Sequence, residues 1–401
     1  MKTPELMAPV GNFEMLKAAV DARADAVYFG VRNFNMRANA KNFSKEDLKE
    51  ITKFCHKNKV KAYLTLNIII YEDELKGVKD LLKKAKEADI DMIICWDLSV
   101  IKLAKELNLN ICASTQASIS NSEAANFYKK LGVKRIVLAR ECSFDQIKEI
   151  RKKTNLEIEA FIHGAMCVSV SGRCFLSHHL FNRSANRGDC LQPCRREYLI
   201  VDKEENGNEL ILGKDYVMSA KDLCSIKFID KLIEAGIDSF KIEGRKRSPE
   251  YVFNVTKVYR EAIDLYFENK LNENKKEELF LELKKVFNRG FSEGFYFNKP
   301  NEKDFAETRN SVATTKKEYI GKITNYFDKI KVAAVKIESG ELKIGDKILI
   351  QGEKTGNLEI NIKDLRLDDK RIRKAEKNQE ISFPCLEVRK NDKVYLVKEN
   401  K

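Results

Sequence analysis

Between Glu159 and Arg196 the chain concentrates the side chains best suited to holding a metal. The stretch carries four of the ten cysteines and three of the four histidines. Cys167 and Cys174 stand as C-x6-C, fifteen residues separate Cys174 from Cys190, and Cys190 and Cys194 form C-x3-C. A fifth cysteine, Cys224, follows. In a reducing cell, clustered thiols bind metal more often than they pair as disulfides. Four thiolates suit an iron–sulfur cluster or structural zinc. Structural zinc usually takes two tight knuckles, and only Cys190/Cys194 has that spacing, so the wide, uneven pattern favours a cluster wrapped by a loop. Five cysteines for four places leave one spare. Cys194 is set aside, because Cys190 can coordinate while Cys194 points away across a tight turn. The other five, Cys55, Cys95, Cys112, Cys142 and Cys385, sit singly in apolar or helical surroundings and read as core.

Other candidates cluster near the same stretch. His163 is placed to polarise or protonate a substrate oxygen, or to be a hydrogen-bonded structural residue. Lys241 and Glu243 alternate with Phe240 and Ile242, so both are expected to point one way, as an ion pair or a proton-transfer pair. Arg173 and Arg245 are candidates for a bidentate grip on a carboxylate or phosphate.

The elements that must position these residues alternate strand and helix. Apolar runs at 5–10, 26–30, 60–68, 92–96, 110–116, 134–140, 156–164 and 239–245 are separated by amphipathic segments. Asn12 reads as a helix N-cap, Ser44 with Asp47 as a short-armed capping box, Gly132 as a C-cap and Pro249 as a first-turn proline. Eight such units over about 250 residues predict a (β/α)-eight barrel of the α/β class. A doubly wound sheet is less favoured, because no glycine-rich dinucleotide loop follows the first strand. In a barrel the site lies at the C-terminal strand ends, which bear Asn67, Trp96, Gln116, Arg140, Glu141, His163, Glu243 and Arg245. The Cys-rich segment leaves from the end of the seventh strand and should fold over that mouth. A hairpin is expected over 198–218, and Cys224 is expected on the helix before the last strand. The predicted domains are a barrel over 1–295 with its Cys-rich segment at 165–224, a linker over 296–315, and a small all-β barrel over 316–401.

The 401 residues carry a formal net charge of +13. That excess suggests a polyanionic partner such as nucleic acid, or simply a Lys-rich proteome. The N-terminus lacks the apolar core and cleavage site of a signal peptide, and no window reaches the length of a membrane span, so the expectation is a cytoplasmic protein without a membrane partner. There is no H-E-x-x-H or G-x-S-x-G motif and no convincing Cys–His nucleophile pair outside the cysteine cluster.

Five separated motifs carry a family resemblance. They are APVGNFEMLKAAVDARADAVYFG near the start, E-x-F-x-H-G-A-M-C-x6-C-x-L-S over 159–177, NRGDCLQPCR, SAKDLC, and GIDSFKIEGRKRSPEYV. Together they resemble the collagenase-like peptidase family, and the tail resembles that family's elongation-factor-like barrel. Length and tail are most similar to its tRNA 5-hydroxyuridine-forming (TrhP) type. The resemblance implies dioxygen-independent hydroxylation of a tRNA wobble uridine, a 4Fe–4S cluster, and prephenate as hydroxyl source. Carried over residue by residue, it puts the cluster on Cys167, Cys174, Cys190 and Cys224. The expected partners are tRNA and a small dicarboxylate, with His163, Lys241 and Glu243 as catalytic candidates and Arg173, Arg245, Asn67 and Gln116 as substrate contacts. The apolar Val168-Ser169-Val170 departs from the commoner family text. A metal-dependent peptidase and a non-catalytic iron–sulfur RNA-binding protein are the alternatives, and assembly as a homo- or hetero-oligomer is left open.

Overall fold

A computed structural model describes residues 2–37, 42–198, 218–308 and 310–400. The first seven strands of the ring are β1 (Glu5–Pro9), β2 (Ala26–Phe29), β3 (Lys61–Leu66), β4 (Met92–Cys95), β5 (Ile111–Ala113), β6 (Arg135–Val137) and β7 (Glu157–Ala165). After a short strand outside the ring, β8 (Asp222–Cys224), the eighth member β9 (Ser239–Ile242) pairs in parallel with both β7 and β1 and closes the barrel. These strands are apolar runs because core and helices cover both faces. All four residues of β4 are buried.

The helices between strands are α1 (Phe13–Asp21), α2 (Leu48–Lys57), α3 (Leu75–Glu87), α4 (Leu98–Glu106), α5 (Ser122–Lys130) and α6 (Phe144–Lys153). A short α7 (Leu176–Phe181) lies in the Cys-rich segment, followed by α8 (Ile229–Glu234), α9 (Pro249–Phe267) and α10 (Glu273–Lys284). The side chains of Asn12, Asp97, Asn121, Ser143 and Asn272 each accept a backbone N–H at their helix start. Ser44 does not start α2. Its N–H donates to Asp47 Oδ2 at 2.7 Å, which is half of a capping box, and the helix begins at Leu48.

One expectation changes. The run from Ser219 to Gly236 is not one helix. Asp222–Cys224 forms β8, antiparallel to β7 at His163–Ala165 and parallel to β10 (Phe291–Ser292), and ladder pairing takes these residues out of the helix. The hairpin expected over 198–218 falls almost wholly outside the described residues.

The lower interior of the barrel is an ion network. Arg135 contacts Glu5 at 2.6 Å, Glu157 at 2.8 Å and Glu159 at 3.4 Å, and Lys241 Nζ lies 2.8 Å from Glu159. Burial acts to raise the Glu5 carboxyl, but Arg135 and Lys61 overcome it and hold it below the ordinary carboxylate value. Such pairs hold only while every charge has its partner.

The tail is antiparallel and all-β. It comprises β11 (Thr315–Phe327), β12 (Val332–Ile337), β13 (Glu341–Lys343), β14 (Lys347–Gly352), β15 (Gly356–Asn361) and β16 to β20 over 366–399. It has its own core, with Ile320, Val335, Ile350 and Phe383 among its members. The stretch before it packs back on the barrel: the Tyr296 hydroxyl donates to Phe161 O at 2.6 Å, and Ala306 N donates to Ser219 O at 2.6 Å.

Candidate active site at the barrel mouth

The C-terminal strand ends open into a cavity of about 100 Å³. Its walls from the barrel are Tyr28, Thr65, Asn67, Gln116, Arg140, Lys241, Glu243 and Arg245, with Arg37 from the loop after β2. Its roof is the Cys-rich cap, which contributes Cys167, Cys174 and Cys190. Several ties seat the cap. Arg187 pairs with Glu74, Cys174 N donates to Asn186 Oδ1 at 3.0 Å, and Arg195 Nη1 donates to Ser219 Oγ at 3.0 Å. Gly172 sits at φ +77°, where a Cβ would come within 2.8 Å of Met36 and 3.1 Å of Gln116, so only glycine lets the cap approach this closely.

Cations dominate the cavity. Arg37, Arg140, Lys241 and Arg245 face a single lining carboxylate, Glu243. Arg37 Nη2 lies 2.8 Å from Glu243 Oε1. Burial alone would raise the Glu243 carboxyl, but Arg37 first, then Arg140 and Arg247, bring it down to about 2. Arg245 Nη1 donates to Thr65 Oγ1 at 2.9 Å and Asn35 Oδ1 at 3.1 Å, and it makes no ion pair among the described residues. Burial, then Arg37, lower its guanidinium to about 10. A buried guanidinium that faces a cavity is suited in chemistry to a carboxylate or phosphate.

The thiols gather at the roof. Cys167, Cys174 and Cys190 line the cavity, while the Cys194 thiol, pushed up to about 11 by burial against the pull of Arg195, also feels the charges of Cys167, Cys190 and Cys174. Backbone N–H groups two residues on are aimed at two of the sulfurs: Leu176 N at Cys174 Sγ and Gln192 N at Cys190 Sγ, each at 3.4 Å. Thiols in this number, with N–H donors on their sulfurs and arginines around them, fit an anionic thiolate-bound group in donor type. Among the described residues, no three His, Cys, Asp or Glu side chains converge closely enough to hold one ion.

The model of peptidase family U32 matches residues 11–306, from the first helix through the strands and cap that enclose this cavity. The chain belongs to peptidase family U32. It is 44% identical over 404 residues to an uncharacterized protease of Methanocaldococcus jannaschii, covering 98% of each chain. A collagenase of Porphyromonas gingivalis is 43% identical, with 98% and 97% covered. The tRNA hydroxylation protein P1 of Bacillus subtilis is 37% identical over 369 residues, covering 91% of this chain and 87% of the relative.

In this U32 barrel the expected site residues divide. Asn67, Gln116, Lys241, Glu243 and Arg245 come together with three of the expected cysteines. His163 does not join them. The β7–β9 register shifts between Phe161 and His163, so Phe161 pairs with Lys241 while His163 pairs with Ile242 on the outward side. The imidazole lies behind the barrel wall among Tyr251, Tyr259 and Phe291, with Nδ1 3.3 Å from the Tyr259 hydroxyl. Burial, aided by Arg247, lowers it to about 3, which favours the neutral imidazole.

Cys224 lies apart from the three cysteines that line the cavity. It pairs with His163 across β7–β8, its sulfur lies 3.9 Å from the Tyr259 hydroxyl, and burial pushes the thiol up to about 12. Cys194 is the further thiol that interacts electrostatically with Cys167, Cys174 and Cys190. Arg173 is outside the cavity lining, stacked at 4.8 Å over the ring of Trp96. Sequence reading missed Arg37. Its only signal was a position in a strand-to-helix loop on the mouth side. No helix among the described residues is long and apolar enough to cross a membrane.

Proposed function

We propose that this protein hydroxylates a pyrimidine of tRNA without dioxygen, converting a wobble uridine to 5-hydroxyuridine. A thiolate-bound 4Fe–4S cluster, prephenate or a dicarboxylate like it as hydroxyl source, and an external acceptor for the two electrons released when C5–H becomes C5–OH are part of the proposal. The single observation that carries it is the shared cavity: cap thiols, an ion-pair-free Arg245 and a surplus of cations face one recess. The B. subtilis relative named as a tRNA hydroxylation protein supports the choice of RNA. Cys167, Cys174, Cys190 and Cys194 would hold the cluster, which supplies electron transfer when bound.

The chain's own residues do the rest. Arg245 and Arg140 bind the two carboxylates. Arg37 is turned by its pairing with Glu243, and that carboxylate, already ionised at any working pH, orients Arg37 and is a poor base. Lys241, anchored by Glu159, presents its Nζ at the cavity floor. Asn67 and Gln116 offer amides to a base edge. The base must leave its stack to reach them.

The peptidase reading is favoured by the collagenase and protease names of several relatives, yet no histidine lines the cavity to activate a nucleophile. Nucleoside mass spectrometry of tRNA from a strain deleted for this gene decides between them. Loss of 5-hydroxyuridine derivatives, restored by the wild-type gene, is the expected result. An unchanged inventory with no compensating relative would refute the proposal.

A further inference from the structure

The outer face of the cap is as unusual as its inner face. Phe175, beside Cys174, is 76% exposed, and Leu180, Leu191, Val168 and Val170 are exposed around the same segment. Arginines of the cap lie over aromatic rings. Arg173 is over Trp96 at 4.8 Å, Arg196 over Phe181 at 4.6 Å, and Arg187 over the exposed Tyr71 at 4.6 Å. Arg173 and Arg196 are themselves exposed and make no ion pair among the described residues. From 165 to 198 the chain has five arginines, Arg173, Arg183, Arg187, Arg195 and Arg196, against two acids, Asp189 and Glu197.

A phenylalanine this exposed buries little of its ring in the fold, and with its exposed apolar neighbours it marks an interaction surface. A ring and guanidinium planes open to solvent, with net positive charge, match unstacked bases joined by phosphates: each plane takes a base face, and each charge takes a phosphate. The Trp96 indole under Arg173 donates to Asn67 O at 3.1 Å, and Asn67 lines the cavity, so this face adjoins the cavity wall.

We propose that the outer face of the cap is a single-stranded RNA clamp. Phe175 stacks on a base flanking the reacting nucleotide, and Arg173 and Arg196 hold the strand on either side. The inference rests on the tRNA-hydroxylase reading and adds to it the face that takes the strand and the loop, not the duplex, as the recognised form.

The test is fluorescence anisotropy of the anaerobically purified full chain. The probes are a labelled RNA hairpin with a uridine-containing loop and the fully paired duplex of the same stem. The wild type is expected to prefer the hairpin. Phe175→Ala should weaken hairpin binding on the order of tenfold or more, while Phe175→Trp retains it. Arg173→Ala with Arg196→Ala should flatten the salt dependence by about two units of slope. These are surface changes, and an unchanged melting temperature shows that each variant is folded. Hairpin binding by Phe175→Ala equal to wild type, or a wild type that prefers duplex, would overturn the clamp while leaving the hydroxylase reading intact. So would a Phe175→Ala variant that keeps RNA but loses a protein complex. A wild type that binds neither RNA would overturn both.

Discussion

Glu243 shows how much a single contact decides. Alternation about Phe240 and Ile242 correctly places Lys241 and Glu243 on the inward face, but it says nothing about their partners. With Arg37 at 2.8 Å, Glu243 titrates near 2 in the fold against an ordinary 4.5. A depressed carboxyl stabilises the fold above its unfolded value, and that contribution is lost as pH falls towards 2. Glu243→Gln is therefore expected to cost about 3 kcal/mol at neutral pH. The gap to wild type should narrow between about pH 4.5 and 2 in denaturant titrations. His163 runs by the same linkage from the other side. Its folded value near 3 lies below an ordinary 6.5, so only the unfolded chain takes up a proton between them. Stability is complete above pH 6.5 and falls as pH drops towards 3. His163→Phe should remove that slope and leave turnover within a few-fold of wild type, whereas a catalytic imidazole would abolish turnover. Neither outcome was legible in the sequence, because the bulge that turns His163 outward is a pairing event between β7 and β9 and has no local signature.

At the scale of elements, the eight barrel strands were legible because burial on both faces writes them as unbroken apolar runs. The run from Ser219 to Gly236 misled for a physical reason. Its spacing is helical throughout, but Asp222–Cys224 completes ladders with β7 and β10, and pairing outweighs periodicity. That one shift carries Cys224 behind the barrel wall. The cap fold was the other illegible element: which of Cys194 and Cys224 neighbours the other thiols depends on how Arg187, Arg195 and Gly172 seat the loop. Gly172→Ala tests the seat. A side chain at φ +77° facing Met36 and Gln116 is expected to cost about 1–3 kcal/mol, concentrated in the cap. Hydrogen exchange should quicken over 166–196 and stay unchanged in β1 to β6. Uniform acceleration would show that the cap is not a separate unit.

The whole molecule joins a cationic barrel mouth to a β tail that rests on the barrel's flank. Gly356 lies against Lys17 and Asp21 of α1, and Gln351 and Lys317 meet Glu250 at the start of α9. The tail therefore docks on helices that flank the first and last ring strands, near the mouth end of α9. The account depends on what the cap thiols hold. The most direct test is iron and acid-labile sulfide per chain in anaerobically purified protein, measured for the wild type and for Cys194→Ala and Cys224→Ala. The expected result is four irons and four sulfides in the wild type and in Cys224→Ala, and loss of both in Cys194→Ala. A colourless wild type carrying stoichiometric zinc, or a Cys224→Ala variant that alone loses iron, would contradict it.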